Sequence, residues 1–193
     1  MMAEADGKLT HRPGVCIVTR GPGATNASLG IHIARQDSTP LILLVGQVSR
    51  TMMEREAFQE IDFRQMFGPL SNWGAQIDDP ARVPEMMARA FAVATAGRPG
   101  PVVLALPEDM LAEFVDVEDA DSYPIARACP GVEALEDLMA LLGASKRPLL
   151  VLGGGGWDKD AIANVQAFAV RLGIPVVGNI TRRELIDNEP TEF

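Results

Sequence analysis

Apolar positions along the chain fall into short unbroken runs fenced by glycine and proline, alternating with stretches in which they recur every three or four residues. The first kind reads as buried strand and the second as amphipathic helix. Val15 to Thr19 (VCIVT), between Pro13-Gly14 and Gly21-Pro22-Gly23, predicts a strand running into a tight turn. Ala24 to Arg35 predicts the helix that leaves it, with Leu29, Ile33 and small residues available to pack. Pro40 to Gly46 (PLILLVG) is apolar throughout, the pattern of a central parallel strand covered on both faces. Ser71 to Ile77 is a weaker strand. Pro80 to Ala96 predicts a helix, since Val83, Met86, Met87, Ala90, Phe91 and Ala94 gather on one side. Pro101 to Leu106 (PVVLAL) predicts a further buried strand. Strand, helix, strand, helix, strand is the sign of an α/β fold of layered parallel sheets.

Pro107 to Pro130 interrupts the alternation with acidic residues, prolines and little helical ordering; Phe114, Val115 and Tyr123 suggest that it runs along a surface. Beyond it the pattern resumes: helix 132–142, strand 148–152, glycine run 153–156, helix 158–171 and strand 174–177. The expected division is a first domain over 1–110, a linker over 111–130 and a second domain over 131–193. Three parallel strands in the first and two in the second are few for domains of this kind. Each domain is therefore expected to lack neighbours, either truncated at both ends of the chain or borrowing strands from a partner.

Composition narrows the class. The 193 residues are 47% hydrophobic and 22% charged, with net charge -9, as suits a folded, soluble protein. No run approaches the roughly 20 apolar residues of a bilayer-spanning helix, and MMAEADGKLT lacks the basic head and apolar centre of a signal peptide. The expectation is a cytoplasmic protein with no membrane partner. Residues 111–193 carry 7 Lys/Arg against 14 Asp/Glu, and no basic cluster exists, which argues against nucleic acid. Two cysteines, Cys16 and Cys129, make no disulfide framework, so a reducing compartment fits. His11 and His32 have no matching ligand cluster, so no metal site is expected.

Candidate chemistry concentrates at Thr19-Arg20-Gly21-Pro22-Gly23-Ala24-Thr25-Asn26, where a strand turns into a helix. Glycines there permit close backbone approach, and a helix N-terminus offers free N–H donors; a turn made for packing alone has the same composition. The segment matches neither the GxxxxGK[ST] phosphate loop nor GxGxxG. Gly153 to Gly156 with Trp157 reads either as a flexible turn or as a phosphate-approach loop, and Asp158 at the next helix start does not favour phosphate. Glu54, Glu56, Glu60 and Asp62 among Arg50, Arg55 and Arg64 read as a salt-bridged surface segment or as a substrate-channel loop.

Ordered blocks over the first 110 residues carry a family resemblance. They are Ala3 to Thr10, Arg12 to Val15, Thr19 to Ala27, Asp37-Ser38-Thr39-Pro40, Gly46-Gln47, Ala57-Phe58-Gln59-Glu60, Gly97 to Val102 and Leu106 to Asp109. Together they resemble the pyrimidine-binding domain of thiamine-diphosphate enzymes of the acetolactate synthase type. From about residue 131, Arg147-Pro148-Leu149-Leu150, the glycine run and Leu172 to Val176 resemble the start of that family's central domain. The resemblance spans the chain and about a third of a typical family member.

It implies that Gly21, Pro22, Gly23 and Asn26 lie beside the aminopyrimidine of the cofactor. Gln47 would face the same cleft, and Phe58 and Gln59 would lie on the substrate side. In the family the cofactor's thiazolium carbon attacks a 2-oxo acid carbonyl and, after decarboxylation, the carbon unit joins a second carbonyl. Asn72 stands where the family commonly carries lysine, removing a positive charge from the expected substrate side and arguing against acetolactate itself as product. The family's essential glutamate is expected upstream of the sequence, and its Gly-Asp-Gly motif for magnesium and diphosphate downstream. No catalytic residue is therefore assigned. Thiamine diphosphate and Mg2+ belong to a complete parent and are not expected to bind tightly to this chain alone; FAD, bound by the central domain of some relatives, would be held mostly beyond Phe193. The implied function is a fragment of a 2-oxo-acid decarboxylating carboligase, inactive alone, acting on small 2-oxo acids in the parent and completed by a homo-oligomer or missing domains. A noncatalytic association or regulatory module derived from the family is the alternative.

Overall fold

The structure, a computed structural model, describes residues 1–124 and 128–186 and forms two compact units, Met1–Arg127 and Ala128–Phe193. Parts of the expected linker and second domain, residues 125–127 and 187–193, lie outside the described residues.

In the first unit the strands β1 (Gly14–Val18), β2 (Leu41–Gln47), β3 (Trp73–Gln76) and β4 (Pro101–Pro107) form one sheet in the order β1-β2-β4-β3. All pairs are parallel, with Val18 opposite Val45, Gln47 opposite Pro107, and Trp73 opposite Val102. The expected α/β class holds, and the sheet has four strands rather than three because the weak segment at 71–77 pairs with β4.

Side chains alternate across this sheet, so its two central strands supply two cores. Leu41, Leu43 and Val45 of β2 and Val103 and Ala105 of β4 pack with helices α2 (Pro22–Asp37) and α3 (Phe63–Phe67). Ile42 of β2 and Val102 and Leu104 of β4 face the other way, onto Met86, Ala90 and Ala94 of helix α4 (Val83–Thr95). Burial on both faces explains why β2 and β4 read as continuous apolar runs. β1 is an edge strand, and Val15 and Ile17 remain 48% and 73% exposed.

Helix α1 (Met2–Thr10) was not expected. Its sequence shows no apolar stripe: Met2 and Leu9 are exposed, and the buried positions are Glu4 and Gly7. The helix is fixed by close backbone packing, since a Cβ on Gly7 would lie 2.2 Å from the Pro40 carbonyl oxygen. A second correction concerns the stretch after β4. Met110–Ala112 makes one 3-10 turn, but Phe114 is fully exposed and Val115 and Tyr123 are about half exposed, so these apolar residues do not hold the segment to a surface.

The second unit contains α5 (Val132–Ala144), β5 (Leu150–Leu152), α6 (Lys159–Leu172), β6 (Val176–Gly178) and a 3-10 segment at Ile180–Leu185. β5 and β6 pair in parallel, as the βαβ pattern requires. Leu152, Ala169, Ile174 and Leu185 are its buried hydrophobic residues. Among the described residues no helix is long and apolar enough to cross a membrane.

Candidate functional site

Parallel strands deliver their following loops to one edge of a sheet, and in open α/β sheets that carboxyl edge is where ligands bind. The first unit places there the turn after β1, the loop after β2 and the segment after β4. Gly21 ends the first of these with φ 58° and ψ −115°, backbone that strongly favours glycine. Pro22 opens α2, where its missing N–H costs nothing. No side chain caps that helix start, leaving its first-turn N–H groups available.

The turn and the loop after β2 meet at Gly21. A Cβ there would lie 2.7 Å from Gln59 Cβ and 3.1 Å from its Cγ, so Gln59 occupies the space that glycine leaves. At Gly23 the corresponding atom would lie 2.9 Å from Thr19 Cγ2. Both glycines thus serve close packing within the chain, while Pro22, Thr25 and Asn26 stay exposed around them. Phe58 is 79% exposed beside them in sequence to Gln59. Arg20 joins the parts: Nε donates to the Phe58 carbonyl at 3.3 Å, and the guanidinium pairs with Glu108 at 2.8 Å.

The segment 54–59 has left-handed backbone at three non-glycine residues, Glu54, Glu56 and Gln59. Each such residue costs on the order of 1–2 kcal/mol. Glu60 accepts the N–H groups of Glu54 and Ala57, and Asp62 accepts those of Arg64 and Gln65 at the start of α3. Glu60 and Asp62 of the acidic cluster thus accept backbone N–H groups, and one ion pair of a salt-bridged segment forms within it, Arg64 with Asp62 at 3.6 Å. Arg50 is drawn instead to the end of β4, where it donates to Asp109 through its backbone N–H at 2.9 Å and Nε at 2.8 Å. It also pairs with Glu113 and donates to the Asp78 carbonyl. The backbone bond from Arg50, followed by its side-chain bond, holds the Asp109 carboxyl below the ordinary aspartate range, and the side-chain bonds to Asp109 and then Glu113 hold the Arg50 guanidinium above its ordinary value.

Two sequence-derived positions behave differently from the rest. Gln47 reaches the carboxyl edge but is 1% exposed, and both ends of its amide are used: Nε2 donates to the Ile61 carbonyl at 2.8 Å and Oε1 accepts the Val48 N–H at 2.9 Å. It shapes the loop, and with 1% of its surface exposed its amide is turned into the protein. Asn72 lies at the opposite edge, immediately before the first residue of β3. Six strand steps of about 3.3 Å along β4, roughly 20 Å, separate the two edges. Asn72 accepts from Arg35 and donates to the Arg98 carbonyl at 3.1 Å, tying α2 to the entry of β4. Its expected place on the substrate side is not what the structure has, because a residue preceding a parallel strand sits at the amino edge.

Arg20, Glu60 and the Arg50–Asp109 pair were not singled out from sequence for these roles. The available signal was that Arg20, Arg50 and Asp109 stand two or three positions after the ends of three apolar strands; Glu60 carried no such signal. In the second unit, the glycine run is closed by its own neighbours. Trp157 Nε1 donates to the Gly153 carbonyl at 2.9 Å, Arg182 Nε donates to the Gly154 carbonyl at 2.6 Å, and Asp158 caps α6. Those bonds favour the turn reading over a phosphate loop.

The carboxyl edge fits a small planar ring with polar edges: it offers an exposed aromatic face at Phe58, amides at Asn26 and Gln59, and uncapped N–H groups. Arg20 and Arg50 at this edge are already paired with carboxylates, so neither presents a free guanidinium to a diphosphate. Among the described residues no three His, Cys, Asp or Glu side chains gather as a metal site.

Comparison with known proteins bears on the same segments. Residues 1–66 match the family model described as thiamine pyrophosphate enzyme, N-terminal TPP binding domain, and residues 135–192 match thiamine pyrophosphate enzyme, central domain. The chain is 38% identical over 176 residues to the acetolactate synthase large subunit of Corynebacterium glutamicum, covering 88% of this chain and 28% of that protein. It is 37% identical over 176 residues to the acetolactate synthase isozyme 1 large subunit of Escherichia coli, covering 90% and 30%. To the probable acetolactate synthase large subunit of Methanocaldococcus jannaschii it is 38% identical over 184 residues, covering 89% and 31%. The chain spans about three tenths of the length of these curated relatives.

Proposed function

The chain belongs to the thiamine pyrophosphate enzyme family, and from that premise we propose that its first unit forms the aminopyrimidine-facing wall of a thiamine diphosphate site. The observation that carries this reading is the meeting of the Gly21 turn with Gln59 at the carboxyl edge of the sheet, beside exposed Phe58. Pro22 and Asn26, exposed on the turn whose close packing Gly21 and Gly23 allow, would take the ring, and Phe58 and Gln59 the substrate side. When bound, the cofactor supplies an electron sink for the carbon left by decarboxylation. The residues of this chain orient its ring, exclude water with Phe58, and offer amide hydrogen bonds from Asn26 and Gln59.

The diphosphate and Mg2+ would be held by another domain or by a second copy, as the family resemblance implies; at this edge Arg20 and Arg50 are engaged with carboxylates. For the complete protein the proposed reaction is decarboxylation of a small 2-oxo acid and transfer of the remainder to a second carbonyl, which the family resemblance implies; relatives named acetolactate synthase large subunit support the coarser acetolactate synthase-like reading. A cytoplasmic, homo-oligomeric enzyme accords with that reading. FAD would need residues outside this chain.

Titration of the isotope-labelled chain with thiamine, followed by NMR, tests the proposal. The expected result is weak, saturable shifts confined to Gly21, Gly23, Asn26, Phe58 and Gln59, with none from inorganic pyrophosphate at equal concentration. Absence of thiamine shifts at these residues, or shifts centred on the glycine run at 153–156, would overturn it.

A further inference from the structure

Phe58 and Gln59 sit on backbone that their own side chains do not hold. Glu54, Glu56 and Gln59 have φ of 62°, 54° and 64°, and Phe58 projects with 79% of its surface exposed. Left-handed backbone at non-glycine residues persists where surrounding groups over-determine it. Here Glu60 supplies most of that determination. One carboxylate oxygen accepts the Glu54 N–H at 2.6 Å, the other accepts the Ala57 N–H at 3.0 Å, and the Glu60 N–H donates to the Ala57 carbonyl at 2.9 Å. Arg20 adds one bond, to the Phe58 carbonyl.

We infer that Glu60 is a positioning residue, whose two carboxylate oxygens fold residues 54–59 so that Phe58 projects and Gln59 lies over Gly21. The inference rests on the proposed function for what Phe58 and Gln59 face, and on geometry alone for how they are held. A carboxylate suits the task because two N–H donors converge on it and it presents two acceptors. Glutamine retains one oxygen and turns an NH2 group toward the other donor; alanine retains neither.

Hydrogen exchange of the full chain, wild type against Glu60→Ala and Glu60→Gln, tests this without ligand. Glu60→Ala should speed exchange of the Glu54 and Ala57 amides by at least about tenfold, equivalent to ~1.4 kcal/mol of local protection. Glu60→Gln should fall between, and the amides of β2 and β4 should be unchanged. In the thiamine titration, the Gln59 side-chain shift should disappear in Glu60→Ala and partly return in Glu60→Gln. Unchanged exchange at 54–57, or a uniform rise across the whole first unit, would overturn the positioning role. Should wild type show no thiamine shift while the exchange result stands, the ligand reading falls and the role of Glu60 in shaping the loop is retained.

Discussion

Replacing Gly21 by alanine separates the two demands placed on that position. The first is conformational: φ 58° with ψ −115° is close to glycine-only backbone, and a Cβ there costs about 1–3 kcal/mol. The second is spatial. The new methyl would lie 2.7 Å from Gln59 Cβ, whereas apolar atoms rest at about 3.5–4.0 Å. Relief of roughly 1 Å must come from the loop, and overpacking of this kind costs about 1–3 kcal/mol in rigid surroundings. The loop can yield in part, so Gly21→Ala should destabilise the first unit by about 2–4 kcal/mol. Gly97→Ala is the control, since Gly97 also has positive φ, 59°, yet has nothing within 4 Å of a built Cβ; its cost should be about 1 kcal/mol. Urea unfolding followed by Trp73 fluorescence, in a Trp157→Phe background, reports the unit that contains β3. Gln59→Gly removes the opposing Cβ and relieves its own φ of 64°. In that background Gly21→Ala should lose the packing part of its cost, a coupling of at least about 1 kcal/mol. If Gly21→Ala costs the same with and without Gln59, the turn and loop are not in contact as described and the joint face fails.

Three further outcomes follow from the same geometry. Asp109 titrates below the ordinary aspartate value of about 3.9 because Arg50 donates to it, so its contribution is present above that value and lost as pH falls through the lower, folded one. The acid limb of the urea midpoint should therefore be shallower in Asp109→Asn; superimposable limbs would count against the clamp. Asn72→Ala should cost about 1–3 kcal/mol through the orphaned Arg35 and Arg98 groups, yet leave thiamine-induced shifts at Gln59 intact; loss of those shifts would return Asn72 to the site. Phe67, fully buried and with its ring 6.3 Å from that of Phe63, should cost about 3–5 kcal/mol as Phe67→Ala, and a value near zero by the same fluorescence assay would contradict the core assignment.

The apolar runs at Pro40 to Gly46 and Pro101 to Leu106 determined two central parallel strands, because burial on both faces leaves no polar alternation to mask them. Local chemistry likewise determined the turn at Gly21 to Gly23, and the ordered blocks around it pointed to the family. Helix α1 could not be read in the same way. Its hold on the sheet comes from backbone approach at Gly7 and not from an apolar stripe. Nor could the sequence say that Gln47 spends both ends of its amide inside the chain. Asn72 and Gln59 are 13 residues apart in sequence, and only the parallel pairing of β3 with β4 sends them to opposite edges. Chemistry that is local in the chain, such as a run of β-branched residues or a glycine at a turn, is written in residue type. Which side chains share an edge, and which amide N–H groups Glu60 receives, depends on strand order and on bonds between distant residues, and these come into being only when the sheet has formed.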